Sequence, residues 1–325
     1  MKGIDWLDVC LEIFSDYTAR ERFDKPNSII FAELHQHIDI VVDIAINETN
    51  KNVAAYEKIE QLLYWSGICG LKMGKYHYAL EQLLRAYDIK CRSIKKEKKY
   101  CDICRGISQA YNDLGMFEES RHWLLEANVD KIAYHADLGA IYYNEKRWND
   151  AWEEYATAFS LCNSDEQRGI IANHIALIHL IGKGDWYSAW QYFQPALPLL
   201  KDENIEDEIK AKLFNTLAGI KTEEGNFDLA LQIYETLLVM RKKIYNGSHP
   251  DVARVYQNIG GVYDKKGNRE MTLKSWETAA KMYIEVSGKD NVYTRGCVAN
   301  IYYYLLVNGT EQELESIMGR LGYRD

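Results

Sequence analysis

Apolar and small residues recur at helical spacing on both sides of a short turn motif, and this arrangement repeats along the chain. The motif is a glycine, any residue, an aromatic residue, two further residues and a small residue. Its four full copies start at Gly74, Gly115, Gly184 and Gly225, and degenerate copies start at Lys146 and Gly267. Successive copies lie 31 to 42 residues apart. A fixed pattern at such a period predicts a stack of similar structural units.

The segments that flank each turn are predicted to pack as two antiparallel helices. The first segment carries a small residue about seven positions before the turn, and the second repeats small, bulky and small residues at helical spacing. Small residues let two helices approach closely, and the glycine relieves the chain reversal where the first helix ends. The small positions of the first segments are Gly67, Ser108, Gly139, Ala176, Ala218 and Gly260; the bulky positions of the second are Leu83, Leu124, Tyr155, Phe193, Tyr234 and Trp276.

This pattern resembles the tetratricopeptide repeat, which sets bulky, small and aromatic residues in its first helix and small, aromatic and small residues in its second. The resemblance covers six repeats from about Ile59 to Glu285, and Val292–Leu321 resembles a seventh repeat or a capping pair. It implies an all-α fold, a right-handed superhelical solenoid of antiparallel helix pairs. Departures are Gly70, His179 and Lys221, which stand where an aromatic residue is usual, and the missing terminal proline.

The repeat boundaries divide the chain into three parts. We expect an N-terminal helical cap over 1–58, six helical hairpins over 59–290, and a degenerate repeat or capping helices over 291–325. A DNA-binding helical domain is the alternative for the first part, but it shows no basic recognition helix. Pro195 and Pro198 indicate either a kink in the second helix of the fourth repeat or an early end to it.

One junction between repeats indicates a subtype. Residues 247–253, Gly-Ser-His-Pro-Asp-Val-Ala, resemble the inter-repeat link of kinesin-light-chain-like tetratricopeptide proteins. The spacing of 41 to 42 residues also leaves room for longer helices than the usual repeat has.

Charge and composition exclude some classes of partner and favour a location. The net charge of −9 argues against a protein that binds nucleic acid through the phosphate backbone. Acidic residues interrupt any apolar run near the start, and no uncharged stretch is long enough to insert into a membrane. The seven cysteines are scattered and odd in number, which favours reduced thiols and a cytoplasmic location. Only 4 prolines occur, in keeping with a helical chain, whereas tyrosines number 24 against 8 phenylalanines.

No residue pattern indicates catalysis or a cofactor. Cys101 and Cys104 form a C-x-x-C motif, but a second pair or suitably placed histidines are missing, so we expect no metal. His35 and His37 stand two apart on a predicted helix and point in different directions. We expect His174 and His179 to be packed, and Lys95–Lys99 to be a solvated loop. We therefore expect a protein without enzymatic activity.

The remaining candidate surface is the groove that the resemblance implies, which the first helices line on its concave side. Asn and Gln amides can pair with both the N–H and the C=O of an extended peptide, while Arg and Lys can add a carboxylate and tyrosines an apolar surface. We expect a scaffold that binds a peptide or a partner helix there, or alternatively a ligand-sensing module of a cytosolic regulator or of a larger signalling ATPase. A polar groove without a ligand is the plainer interpretation. The sequence leaves the partner's identity and the oligomeric state open. The predicted groove residues are Arg105, Gln109, Asn112, Tyr143, Asn144, Asn173, Lys212, Asn215, Arg254, Gln257, Asn258, Asn300 and Tyr303.

The chaperone-tail clamp of some tetratricopeptide proteins is not expected in this chain. That clamp needs Lys, Asn and Arg at set positions of adjacent repeats. The matching positions hold Tyr64, Ile68 and Gly106.

Overall fold

The computed structural model describes residues 37–45, 53–92, 101–245 and 247–323, and within these ranges the chain is helical between short turns, without strands. The predicted all-α fold of antiparallel helix pairs is confirmed. Most of the predicted N-terminal cap lies outside the described residues, as do His35 and the Lys95–Lys99 segment; residues 37–45 are helical. The chain forms two compact units, Met1–Cys162 and Asn163–Asp325.

The first unit contains three helix pairs after the helical segment 37–45. Each pair joins consecutive helices across one of the predicted turns. The helices are α1 (Val53–Lys72), α2 (Tyr76–Arg92), α3 (Cys101–Asp113), α4 (Phe117–Ala127), α5 (Lys131–Asn144) and α6 (Trp148–Leu161).

The second unit contains four further pairs. Its helices are α7 (Asp165–Leu177), α8 (Trp186–Phe193), α9 (Asp207–Glu223), α10 (Phe227–Tyr245), α11 (Pro250–Lys265), α12 (Arg269–Ser287), α13 (Val292–Asn308) and α14 (Glu311–Arg320). A π-helical turn, Ile178–Gly182, extends α7. Two 3₁₀ turns, Gln194–Ala196 and Pro198–Leu200, follow α8. The second helix of the fourth repeat therefore ends before Pro195, so of the two interpretations of the prolines the early end is correct.

The six predicted turns share one backbone geometry. The motif's first residue is left-handed in every copy, with φ between 63° and 87°. Five of these residues are glycines, which adopt this conformation without a steric penalty, and the sixth is Lys146. In five turns the next N–H donates to a carbonyl five residues back, as in Asn226 N–H to Lys221 O at 2.9 Å. In the turn after the π-helical segment the hydrogen bond spans one residue more, because Asp185 N–H donates to His179 O, six residues back.

The small and bulky positions form the contact inside each hairpin. All six small positions and all six bulky positions are buried. A Cβ built on Gly260 would lie 2.2 Å from Trp276 Cδ1, and one on Gly139 would lie 3.1 Å from the Tyr155 ring. The second hairpin uses a serine pair instead, because Ser108 and Ser120 each donate a side-chain hydrogen bond of 2.8 Å to the other's carbonyl. The helices therefore approach most closely at these positions.

Helix α9, a first helix of the second unit, is buried on two sides. On α9, Leu213 and Ile220 pack with α7 and α8, whereas Ala211 and Ala218 pack with α10 and α11. This alternation couples the α9–α10 hairpin to the hairpins before and after it and leaves a third side of α9 for other contacts.

The link between α10 and α11 encloses a buried polar cluster. Arg241 is 2% exposed, and its Nη1 lies 2.6 Å from Glu208 Oε2 and 3.2 Å from Asp251 Oδ2. The hydroxyl of Tyr245 donates to the same Asp251 oxygen at 2.9 Å. Although burial raises the pKa of Asp251, the charges of Arg254 and Arg241 hold it well below its usual range. The cluster thus ties α9, α10 and α11 together through satisfied charges.

His249 closes this cluster as the residue before α11. Its ring stacks on Tyr245 with centroids 3.4 Å apart, and its Nδ1 accepts a hydrogen bond of 3.1 Å from the Asp251 N–H. Only 1% of the side chain is exposed, and its Nε2 has no hydrogen-bond partner. Burial lowers the pKa of His249 to about 4. The folded protein therefore holds this histidine neutral.

Replacing His249 by Asn should make stability less dependent on pH between 7 and 4. The pKa of His249 is about 4 in the folded chain, below its ordinary 6.5, so its contribution is present above pH 6.5 and is lost as the pH falls. Asn keeps an acceptor for the Asp251 N–H but does not titrate. Over this range the wild type should lose about 2–3 kcal/mol more stability than the variant. Denaturant unfolding at several pH values measures the difference, and parallel curves for the two proteins would contradict it.

The adjacent glycines of α11 should respond in opposite ways to alanine. Gly260→Ala forces Trp276 to move, which should cost about 1–3 kcal/mol. A Cβ on Gly261 meets no atom within 4 Å, so Gly261→Ala should add about 0.5–1 kcal/mol through helix propensity. Thermal unfolding followed by circular dichroism tests both, and a Gly260→Ala midpoint at or above the wild-type value would rule out the close contact.

Candidate functional site

In the first unit, the first helices α3 and α5 are joined by an ion pair. Arg105 donates from Nε to Asp137 Oδ2 at 2.5 Å and from Nη2 to Oδ1 at 2.8 Å. These bonds raise the pKa of Arg105 above its ordinary value. A bidentate pair of this kind satisfies both groups. A ligand carboxylate could bind Arg105 only in competition with Asp137.

The other predicted residues of the first unit differ in exposure. Gln109 and Asn144 are exposed or partly exposed, whereas Asn112 is buried and its Oδ1 has no hydrogen-bond partner. Tyr143 is half-buried, with its ring edge-on to Trp148 at 5.3 Å. Beside Asn112, burial raises the pKa of Asp113 to about 7, so the charge of this part of α3 changes near neutral pH.

In the second unit, the structure brings Asn215 and Asn258 together. Asn258 on α11 donates from Nδ2 to Asn215 Oδ1 on α9 at 2.9 Å. The pair leaves the amide N–H groups of Asn215 and the carbonyl oxygen of Asn258 for other partners. Two first helices therefore present a joined amide pair.

Asn173 and Lys212 offer one unmet acceptor and one unpaired cation. Asn173 on α7 is 4% exposed, and its Oδ1 has no hydrogen-bond partner. Lys212 on α9 is exposed, and no carboxylate among the described residues forms an ion pair with it. Burial and the charge of Lys212 together lower the pKa of His174, the neighbour of Asn173, to about 4. A donor and a carboxylate are the groups that this part of the chain lacks.

Arg254 and Gln257 on α11 are already engaged. Arg254 Nη2 lies 2.6 Å from Asp251 Oδ1, at the edge of the buried cluster, and its side chain is 46% exposed. The Gln257 side chain accepts a long hydrogen bond of 3.4 Å from the Tyr283 hydroxyl, and its backbone carbonyl accepts from Trp276 Nε1 at 3.0 Å. The outward part of Arg254 is thus available for a second anionic group.

Asn300 and Tyr303 lie on the exposed side of α13. Tyr303 is 66% exposed and sits among apolar residues. Asn300 and Tyr303 therefore lie on an apolar surface, whereas the predicted residues on α9 and α11 are amides and cations.

Sequence reasoning missed Asp137, Asp113 and the unmet oxygen of Asn173. The sequence did contain a signal for Asp137. It stands 32 residues after Arg105, which is about one repeat, and it carries the opposite charge, so an ion pair between adjacent repeats could have been predicted. The burial of Asp113 and Asn173 depends on neighbouring helices and left no such signal.

Two features are absent from the described residues. No three or more His, Cys, Asp or Glu side chains are grouped there as a metal ion would require. None of the helices described has the length and apolar character needed to cross a membrane.

Solved structures of low sequence identity share this fold. A Rap protein complexed with competence and sporulation factor aligns with a TM-score of 0.57 at 13% identity, covering 82% of this chain and 75% of that one. The apo form of the quorum sensor NprR from B. thuringiensis aligns with a TM-score of 0.51 at 14% identity, covering 92% and 89%. The hetero-tetramer Cut9–Hcn1 of the APC/C gives 0.51 at 14%, covering 87% of this chain but only 52% of that one.

The sequence comparison locates the repeats. No curated protein matches the chain significantly. A family model described as Tetratricopeptide repeat matches residues 210–285, which run from α9 to α12. This match identifies tetratricopeptide repeats over residues 210–285, and the solved structures show that the chain shares their helical fold.

Proposed function

We propose that this protein is a non-enzymatic interaction module of the cytoplasm that binds an extended peptide segment on the first-helix face of its second unit. We define this face by Asn173, Lys212, Asn215, Arg254 and Asn258. The observation that carries the proposal is the combination of Asn173 Oδ1, buried without a donor, and Lys212, a cation without a carboxylate among the described residues.

A peptide supplies the groups that this face lacks. A buried acceptor without a partner costs about 1–3 kcal/mol, so a backbone N–H that reaches Asn173 would recover that energy. The Asn215–Asn258 pair retains donors and an acceptor, which match the alternating C=O and N–H of an extended chain. A carboxylate on the peptide would pair with Lys212 or with the outward part of Arg254.

In the first unit, the predicted groove residues remain secondary candidates. Arg105 is neutralised by Asp137, and a ligand would have to displace this bidentate partner. Gln109 and Asn144 are exposed, Tyr143 is half-buried, and Asn112 has a buried Oδ1 without a partner, as Asn173 has in the second unit.

A ligand sensor is the second candidate. It is favoured by the likeness to the quorum sensor NprR and to a Rap protein solved with competence and sporulation factor. At this identity the likeness shows the fold alone, so the ligand class comes from the chemistry of the face. A sensor would change its conformation on binding, whereas a scaffold would not. The kinesin-light-chain-like subtype stays a prediction that rests on the sequence of the link at 247–253.

Lys212→Glu should abolish capture of the partner by the second unit. The variant places a carboxylate where the proposed ligand brings its own, and like charges repel. Affinity capture from cell lysate, read by mass spectrometry, should recover the partner at least about 10-fold less than with the wild type.

The matched control is Lys243→Glu. Lys243 lies on α10, a second helix, and its side chain is 80% exposed, so the same charge change falls away from the face. The control should capture the partner normally, and both variants should melt at the wild-type temperature. Equal recovery by Lys212→Glu and Lys243→Glu would refute the site.

A further inference from the structure

Helix α13 carries apolar residues on every side. Among its 17 residues only Arg295 is charged. One side is buried in the last core of the second unit, with Cys297, Ile301 and Leu305 at its centre. A helix that is apolar all round is normally covered on all sides, yet the opposite side of α13 is exposed.

The exposed side forms one continuous surface, the α13 face. Its apolar members are Val292 (55% exposed), Tyr293 (39%), Tyr302 (42%), Tyr303 (66%), Leu306 (55%) and Val307 (81%). Together these side chains expose roughly 600 Å², the upper end of the largest apolar patch on a typical monomer. An antiparallel partner helix would leave Tyr302 outside the contact, and covering the other side chains in two chains would bury roughly 1,000 Å² in total, the least that a specific interface needs.

Gly296 lies in the middle of the α13 face. A Cβ built there would meet no atom within 4 Å, so nothing among the described residues requires glycine. A glycine in a helix costs about 1 kcal/mol relative to alanine. Its physical use is to let a second surface approach the backbone closely.

We propose that the α13 face binds the α13 face of a second copy of this chain, with the two helices antiparallel about a two-fold axis between Ala299 and Asn300. In this register Tyr303 of each copy lies over Gly296 of the other. Val292 lies opposite Val307, while Tyr293 and Leu306 lie at the two edges of the contact. Bulky residues thus meet glycine, and apolar residues meet apolar residues, as a self-complementary interface requires.

The polar members of the face fit the same axis. The two Asn300 side chains lie side by side at the two-fold, where each amide can donate to and accept from the other. A single asparagine at such a position specifies register between packed helices. The two Arg295 residues stand about 14 Å apart along the axis, beyond the screening length at physiological salt.

Other occupants fit this surface less well. A helix that lies on a membrane carries several basic residues beside its apolar face, and α13 has one. A partner peptide would be recognised by the polar residues of α7, α9 and α11, which do not belong to the α13 face. The inference goes beyond the proposed function and assigns Asn300 and Tyr303 to dimer formation.

A charge exchange across the proposed axis tests the register. Sedimentation equilibrium on the full chain should show a dimer for the wild type. Val292→Glu and Val307→Lys should each raise the dimer dissociation constant about 100-fold or more, because each buries a lone charge. The double variant should regain the dimer, since each Glu then faces a Lys of the other copy. Within one chain the two positions are about 22 Å apart and cannot pair.

The two open glycines supply a matched control. Gly296→Lys should give a monomer, whereas Gly261→Lys on α11, where a Cβ also meets no atom within 4 Å, should leave the dimer intact. A wild type that stays monomeric at about 100 µM, well above the dissociation constant of a specific interface, overturns the proposal. A double charge variant that stays monomeric overturns it as well. Neither result depends on capture of a peptide.

Discussion

The close approach of two helices at a small residue is the constraint on which the rest of this structure depends. At Gly260 no side-chain carbon would fit, because the Trp276 ring already occupies that space. The same ring reaches the next pair of helices: Tyr304 lies edge-on to it at 5.4 Å, and Cys297 Sγ donates to the Trp276 carbonyl at 3.5 Å. One residue, Trp276, therefore closes the α11–α12 hairpin and contacts the first helix of the next pair, α13.

At the link between α10 and α11, a buried charged cluster holds the helices together, in place of a close approach at a small residue. Arg241 is almost fully buried, and it is tolerated there because Glu208, Asp251 and the Tyr245 hydroxyl surround it. Removing one partner of such a cluster would leave a buried charge unpaired. The free energy lost in that way is much larger than the net stability that the intact cluster contributes. The same Asp251 carboxylate orients Arg254 at the surface. Thus a structural cluster sets the position of a candidate binding residue.

In the second unit, the exposed sides of the first helices are of two kinds, polar and apolar. On α9 and α11 they carry amides and cations with unmet hydrogen-bonding capacity, whereas on α13 they are apolar with a single asparagine and a bare glycine. Polar groups of the first kind gain from a ligand that supplies donors and carboxylates. A surface of the second kind gains from burial against another apolar surface. The surplus of tyrosine reflects both the core, as at Tyr155 and Tyr234, and the α13 face, as at Tyr303.

The sequence by itself determined the hairpins, because their causes are local. A left-handed residue at each turn, with a small residue before it and a bulky one after it, is readable within about 20 residues, and even the degenerate copy at Lys146 adopts the turn. Only the tertiary structure decided what the surface residues do. Whether Arg105 meets Asp137, whether Asn173 is buried, and whether α8 kinks or ends at Pro195 depend on how neighbouring helices rotate against each other. That rotation is set by packing between side chains a whole repeat apart, and no local pattern encodes it.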